Sequence, residues 1–120
     1  MATSHRLGVW GESVALAFLQ SCGYRCLDRR FRLPGGEIDL VMRDRGILVF
    51  VEVKTRSGDS LAPAEAWLGR TQLVRLRRMA LAWLDQDEGQ AAADLRFDLV
   101  AVEHFGREQG ASLRHFVGVG

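Results

Sequence analysis

Gly36-Glu37-Ile38-Asp39-Leu40-Val41-Met42 and Ile47-Leu48-Val49-Phe50-Val51-Glu52-Val53-Lys54-Thr55 are two apolar-rich runs separated only by Arg43-Asp44-Arg45-Gly46. A short polar segment with a glycine, set between two such runs, is the pattern of a β-hairpin. The second run is almost continuously apolar from Ile47 to Val51, which predicts a central strand covered on both faces. With Asp44 and Arg45 as a two-residue turn, Arg43 pairs with Gly46, Asp39 lies opposite Phe50 and Glu37 opposite Glu52. Side chains alternate faces along a strand. Asp39, Glu52 and Lys54 are therefore expected on one face, and Ile38, Leu40, Val49, Val51 and Val53 on the other.

Upstream of the hairpin, Leu7, Trp10, Val14 and Phe18 recur at three- and four-residue spacing, predicting a helix from Leu7 to about Ser21. Gly23 stands where a left-handed end cap would fall. Tyr24 to Leu33 is arginine-rich and reads as an edge strand. Downstream, Ser57 to Pro63 reads as a loop, and Pro63 suits the first turn of a helix. Leu73, Leu76, Ala80 and Trp83 give a second amphipathic helix to about Leu84. Asp85 to Asp94 reads as a connection, and Leu95 to Val102 and Leu113 to Val119 as two further strands. The order helix, three strands, helix, two strands predicts an α/β fold with a central mixed sheet flanked by helices. Its 120 residues are the size of one domain, expected to span 1–120.

The formal net charge of +1 excludes a general nucleic-acid-coating protein and an acidic disordered chain. No apolar run is long enough to cross a bilayer, and Met-Ala-Thr-Ser-His-Arg at the start lacks a signal-peptide core. The expectation is a cytoplasmic protein with no membrane partner. Cys22 and Cys26, with no second pair, make no zinc site and read as ordinary reduced thiols. His5, His104 and His115 form no ligand spacing and read as structural or exposed. Trp10, Trp67 and Trp83 read as packing residues.

The polar hairpin face is the part that packing does not explain. Charged groups at the end of an apolar strand are costly to cover unless they meet a partner or water. Two neighbouring carboxylates repel, and a divalent cation relieves the repulsion. Hard oxygen ligands suit magnesium, with manganese as a substitute. Of the sixteen cationic residues fifteen are arginine, and the one lysine is Lys54. An ammonium can orient or deprotonate an attacking water, or hold a phosphate, whereas arginine keeps its proton too firmly for the first role. The blander alternative is a surface ion pair between Glu52 and Lys54, with Asp39 merely facing a turn.

Gly36-Glu37-Ile38-Asp39-Leu40 followed by Phe50-Val51-Glu52-Val53-Lys54-Thr55-Arg56 resembles the signature of the YraN family of small bacterial proteins. The resemblance covers nearly the whole chain, including Gly11-Glu12, Ala80 to Leu84 and Arg96-Phe97-Asp98. More distantly the chain resembles archaeal-type Holliday junction resolvases and the wider PD-(D/E)XK nucleases. The resemblance implies a restriction-endonuclease-like fold in which Asp39 matches the motif aspartate and Glu52 and Lys54 the (D/E)XK pair. It also implies a metal site of Asp39 and Glu52, completed by Glu12 and the Val53 carbonyl. The chain departs from the pattern at Arg30, where many relatives carry asparagine, and at Gln72, where they carry lysine.

Arginines cluster before the hairpin (Arg25, Arg29, Arg30, Arg32) and on the second helix (Arg70, Arg75, Arg77, Arg78). They read either as phosphate contacts beside an acidic site or as a solvated face. On the first reading Arg30, Arg32, Arg56, Arg70, Gln72, Arg77 and Arg78 would touch nucleic acid. Three functions follow as rivals. The first is a magnesium-dependent endonuclease for structured or branched DNA, working as a homodimer or with a protein partner. The second is a nucleic-acid-binding module with a vestigial or partner-dependent site. The third is an interaction domain.

Overall fold

The computed structural model describes residues 2–57, 68–86, 94–106 and 108–119. Two helices and five strands follow in the order α1 (Ala2–Ser21), β1 (Arg25–Leu33), β2 (Gly36–Asp44), β3 (Ile47–Ser57), α2 (Arg70–Gln86), β4 (Asp94–His104) and β5 (Ala111–Phe116). The strands form one sheet in sequence order, antiparallel except for the parallel β3–β4 pair. That is the α/β fold with a mixed sheet expected above, with β1 at an edge and β3 in the middle. Pro63, Trp67 and the middle of the 85–94 connection lie outside the described residues.

α1 ends where the glycine signal predicts. Gly23 has φ 93°, and Tyr24 N–H bonds to Leu19 C=O while Gly23 N–H bonds to Gln20 C=O, which closes the helix end. α1 packs Ala15 and Leu19 on one sheet face, against Leu40, Met42, Val49, Val51, Val100 and Val102. α2 packs Leu76, Met79, Ala80 and Trp83 on the other face, against Ile38, Val41, Leu48 and Phe50. β3 therefore alternates between two dry layers, which is why its sequence is apolar without interruption. Trp10 packs in the α1 layer, and Trp83 is buried with its indole N–H on Asp28 Oδ2 at 2.9 Å.

The hairpin register differs from the sequence expectation by two residues. Asp44 pairs with Ile47 and Arg43 with Leu48, so the turn residues are Arg45 and Gly46, with Arg45 held at φ 59°. A shift of two preserves side-chain parity. The change is therefore one of partners: Arg43 faces Leu48 rather than Gly46, and the ladder stops at Leu40 with Val51, one residue short of Asp39. Parity itself fails at one place. Ile38 packs with Val41 under α2, not with Leu40 under α1, so the alternation breaks around Asp39. The neighbouring strand shows the same disturbance: Arg30, between the paired residues Arg29 and Phe31, has φ 51°.

Candidate metal and nucleic-acid site

The break marks a fork in the sheet. The β2–β3 ladder ends at Leu40 with Val51. Beyond it, Gly36 to Ile38 pair only with β1, while Glu52 to Ser57 pair only with β4. Asp39 bridges the opening: its Oδ2 accepts the Val53 N–H at 2.7 Å, taking the place of a ladder bond. The carboxylate thus lies in the hydrogen-bonding direction of the sheet, inside the fork, and not on a face as alternation predicts. In an extended strand a residue's N–H and C=O point to the same side. The Val53 carbonyl therefore also opens toward the fork.

α1 brings Glu12 to the same place. Gly11 is buried against β3, and a Cβ there would overlap the Thr55 side chain, so only glycine lets the helix cross this close. Carboxylate oxygens of Glu12, Glu37 and Asp39 lie within 4.8 Å of one another. Glu52 and Lys54 follow on β3, joined by an ion pair of 3.3 Å with both side chains partly buried. The cluster therefore holds four carboxylates, not the three of the sequence reading. Glu37 is the one the sequence reading left out. Its signal was its position two residues before Asp39, on the nominally polar face, and its placement beside Glu52 was noted without being used.

The electrostatics are strained. Asp39 is 6% exposed, and burial, then the Glu52 charge, pushes its pKa up to about 8 against the pull of the Val53 N–H. Burial also raises Glu52, opposed chiefly by Lys54. Around this core the surface divides into two clefts of about 260 Å³ each. One, on the α2 side, is lined by Glu52, Lys54, Gln72 and Arg75; the other, on the α1 side, by His5, Glu12, Arg30 and Arg32. Glu37 lines both. Arg30 Nε meets Glu12 Oε1 at 2.9 Å, and Arg32 Nε meets Glu37 Oε2 at 2.9 Å.

Of the residues expected from the sequence, the fork brings together Asp39, Glu52, Lys54, Val53, Glu12, Arg30, Arg32 and Gln72. Arg56, Arg70, Arg77 and Arg78 are exposed and line neither cleft. Arg75, in the second-helix arginine cluster but not among the expected nucleic-acid contacts, lines the α2-side cleft, and His5, expected to be structural or exposed, lines the α1-side one. His104 stacks edge-on against Trp10, and His115 bonds to Asp98, as expected of structural histidines. Both cysteines are free thiols. Among the described residues no helix is long and apolar enough to cross a membrane.

Comparison with known proteins identifies the relatives. The uncharacterised protein family UPF0102 matches residues 11–102, a span that runs from Gly11 beside Glu12 through the fork to near the end of β4. The chain belongs to this family. It is the YraN family that the hairpin motif resembles. A UPF0102 protein of Beutenbergia cavernae is 43% identical over the whole of both chains. Another, of Corynebacterium efficiens, is 41% identical over 95% of this chain and 91% of its own. A third, of Geobacter sulfurreducens, is 42% identical over 80% of this chain and 74% of its own. UPF0102 membership names a lineage and leaves the chemistry to be argued from the site.

Proposed function

We propose that this UPF0102 protein is a metal-dependent phosphodiesterase, a single restriction-endonuclease-like domain that cuts DNA with magnesium, or manganese in its place. The observation that carries the reading is Asp39 in the sheet fork, buried, surrounded by three more carboxylates and followed on β3 by the one lysine of the chain. The donor set fits a hard divalent cation: oxygens only, with more negative charge than the buried fork tolerates. Asp39 and Glu52 would hold it, with Glu12, Glu37 and the Val53 carbonyl as further ligands. A bound magnesium supplies Lewis acidity that activates water and neutralises charge on the phosphate.

The chain's own residues supply the rest. Glu52 holds the Lys54 ammonium at the cleft at 3.3 Å. From there Lys54 can donate to a non-bridging phosphate oxygen or to the attacking water. Hydrolysis forms a bond from water oxygen to phosphorus and breaks the bond to the leaving sugar oxygen, which ends up carrying a proton. Gln72 and Arg75 line the same cleft and would hold the phosphate on the α2 side. The splayed central hairpin between two helices is compatible with a nuclease-like fold. A homodimer would match the two-fold symmetry of branched DNA, and a protein partner could supply targeting.

The test is cleavage of four-way-junction, flap and single-stranded DNA with magnesium or manganese. Lys54→Ala and Lys54→Arg are expected to lower cleavage by about 10²–10⁴-fold, with metal and DNA binding retained. If Lys54 serves only to pair with Glu52, Lys54→Arg will be nearly silent, because arginine pairs with carboxylates at least as well.

A second reading is a nucleic-acid-binding module whose site does not turn over. One observation favours it: Arg70, Arg77 and Arg78 are exposed outside both clefts, where they would serve phosphate contact and not chemistry. Absence of cleavage on every substrate, with salt-sensitive DNA binding weakened by charge reversal of Arg77 and Arg78, would select it.

A further inference from the structure

Two arginines of β1 are tied to two of the carboxylates gathered around Asp39. Arg30 holds Glu12 and Arg32 holds Glu37, each through Nε at 2.9 Å. Both pairs line one cleft, and both carboxylates belong to the group gathered within 4.8 Å of Asp39. Arg30 occupies this position in a backbone conformation that arginine seldom adopts, φ 51°, where glycine or asparagine would sit at lower cost. From this backbone its Nε reaches Glu12 Oε1.

With every group ionised, Glu12, Glu37, Asp39 and Glu52 face Arg30, Arg32 and Lys54, leaving one net negative charge at the fork. A divalent cation reverses that to one net positive. Exposed ion pairs such as Arg32 with Glu37, whose side chains are 65% and 41% exposed, are weak and easily exchanged.

Resting on the metal-dependent reading above, we propose that Arg30 and Arg32 are cation-released phosphate ligands. Without metal they neutralise Glu12 and Glu37; when a divalent cation takes those carboxylates, the two guanidiniums pass to the nucleic-acid backbone. Metal and nucleic acid then bind with positive coupling through these two ion pairs. By reciprocity, the arginines and the metal compete for the carboxylates while nucleic acid is absent.

The test uses the full chain and two readouts other than cleavage. Arg30→Asn with Arg32→Gln removes both guanidiniums, and asparagine tolerates the backbone at position 30. Arg70→Gln with Arg78→Gln removes the same charge away from the clefts. In manganese calorimetry without DNA, the Arg30/Arg32 variant is expected to bind at least about fivefold tighter than wild type, and the Arg70/Arg78 variant no more than marginally tighter. With a labelled DNA duplex, wild type should bind tighter in calcium than in EDTA, and the Arg30/Arg32 variant should lose most of that gain. Unchanged or weaker manganese binding in the Arg30/Arg32 variant, or an undiminished calcium gain, overturns the coupling and leaves the nuclease reading standing. No manganese binding by wild type overturns both.

Discussion

Asp39 and Asp98 are the two buried charged residues among those described, 6% and 0% exposed, and their surroundings could hardly differ more. Asp98 sits in β4 with both oxygens occupied. Arg96 reaches Oδ1 at 2.9 Å and Oδ2 at 3.1 Å, His115 Nε2 reaches Oδ2 at 2.7 Å, and Gly118 N–H bonds to Oδ1 at 3.0 Å. Arg96 also meets the Tyr24 hydroxyl at 2.6 Å and Asp44 at 3.3 Å. Burial alone would raise the Asp98 pKa, but His115, Arg96 and the Gly118 amide outweigh it and hold the carboxyl below its usual range. Asp39 has one backbone donor and three acidic neighbours, and is raised. A buried carboxylate surrounded by donors serves the fold. One surrounded by other carboxylates is destabilised until a cation arrives, and such strain is characteristic of functional sites.

The comparison breaks most sharply under mutation. Asp98→Asn leaves the part-buried Arg96 with Asp44 as its counter-charge and a neutral amide where Asp98 stood, and should lower the unfolding free energy by about 3 kcal/mol, the low end for breaking a buried pair. It should also loosen β5, because His115 and Gly118 lose the group that ties the C-terminal strand to β4. Asp39→Asn should leave metal-free stability unchanged or raise it by about 1–2 kcal/mol, since the amide keeps an acceptor for Val53 N–H and no longer repels Glu52. Chemical denaturation in EDTA measures both, and a large loss for Asp39→Asn would end the contrast.

Metal should reverse the ranking. Saturating manganese at about a hundred times its dissociation constant stabilises a binding-competent fold by about 2.7 kcal/mol. Wild type should show this gain in thermal unfolding, and Asp39→Asn should not.

The two aspartates should also act on opposite limbs of the pH profile in EDTA. Asp39 is raised in the folded state, so its contribution is fully present below the unfolded value of about 4 and is lost as pH climbs to about 8. Glu52, also raised, adds to the same limb. Asp98 is lowered, so its contribution is present above the unfolded value and is lost as pH falls through the folded one. Asp39→Asn should flatten the alkaline decline, and Asp98→Asn the acid one.

The smallest effect belongs to the exposed Arg32–Glu37 pair. Glu37→Gln should change stability by about 0–1 kcal/mol while weakening manganese binding measurably. Denaturation and calorimetry on the same variant separate the two outcomes.

Much of this was legible in the residues. Sequence patterning located both helices and the five strands, with α1 starting at Ala2 rather than Leu7 and β5 spanning Ala111–Phe116 rather than Leu113 to Val119; Gly23 marked the end of α1, and the unbroken apolar run identified β3 as central. Asp39, Glu52 and Lys54 were marked by their spacing and by the solitary lysine. The register was not legible, because a turn on Arg45, with φ 59°, has no propensity signal next to an aspartate that normally favours turns. The two-residue slip conserves the parity of Glu52 and Lys54 on β3, while Asp39 reaches the same place through the break in β2. The fork was hidden for a different reason: alternation assumes a continuous ladder, and the ladder's end is set by long-range packing of Ile38 and Arg30. The Asp98 cluster was equally hidden, since Tyr24 lies 72 residues from Arg96 in sequence and nothing local announces the partnership.

The central claim is that the fork is a cation site built around Asp39. Its most direct test is calorimetric titration of manganese into wild type and Asp39→Asn, after denaturation has confirmed that both are folded. Saturable binding by wild type that Asp39→Asn abolishes is the predicted result. Equal binding by the two proteins, or none by wild type, would contradict it.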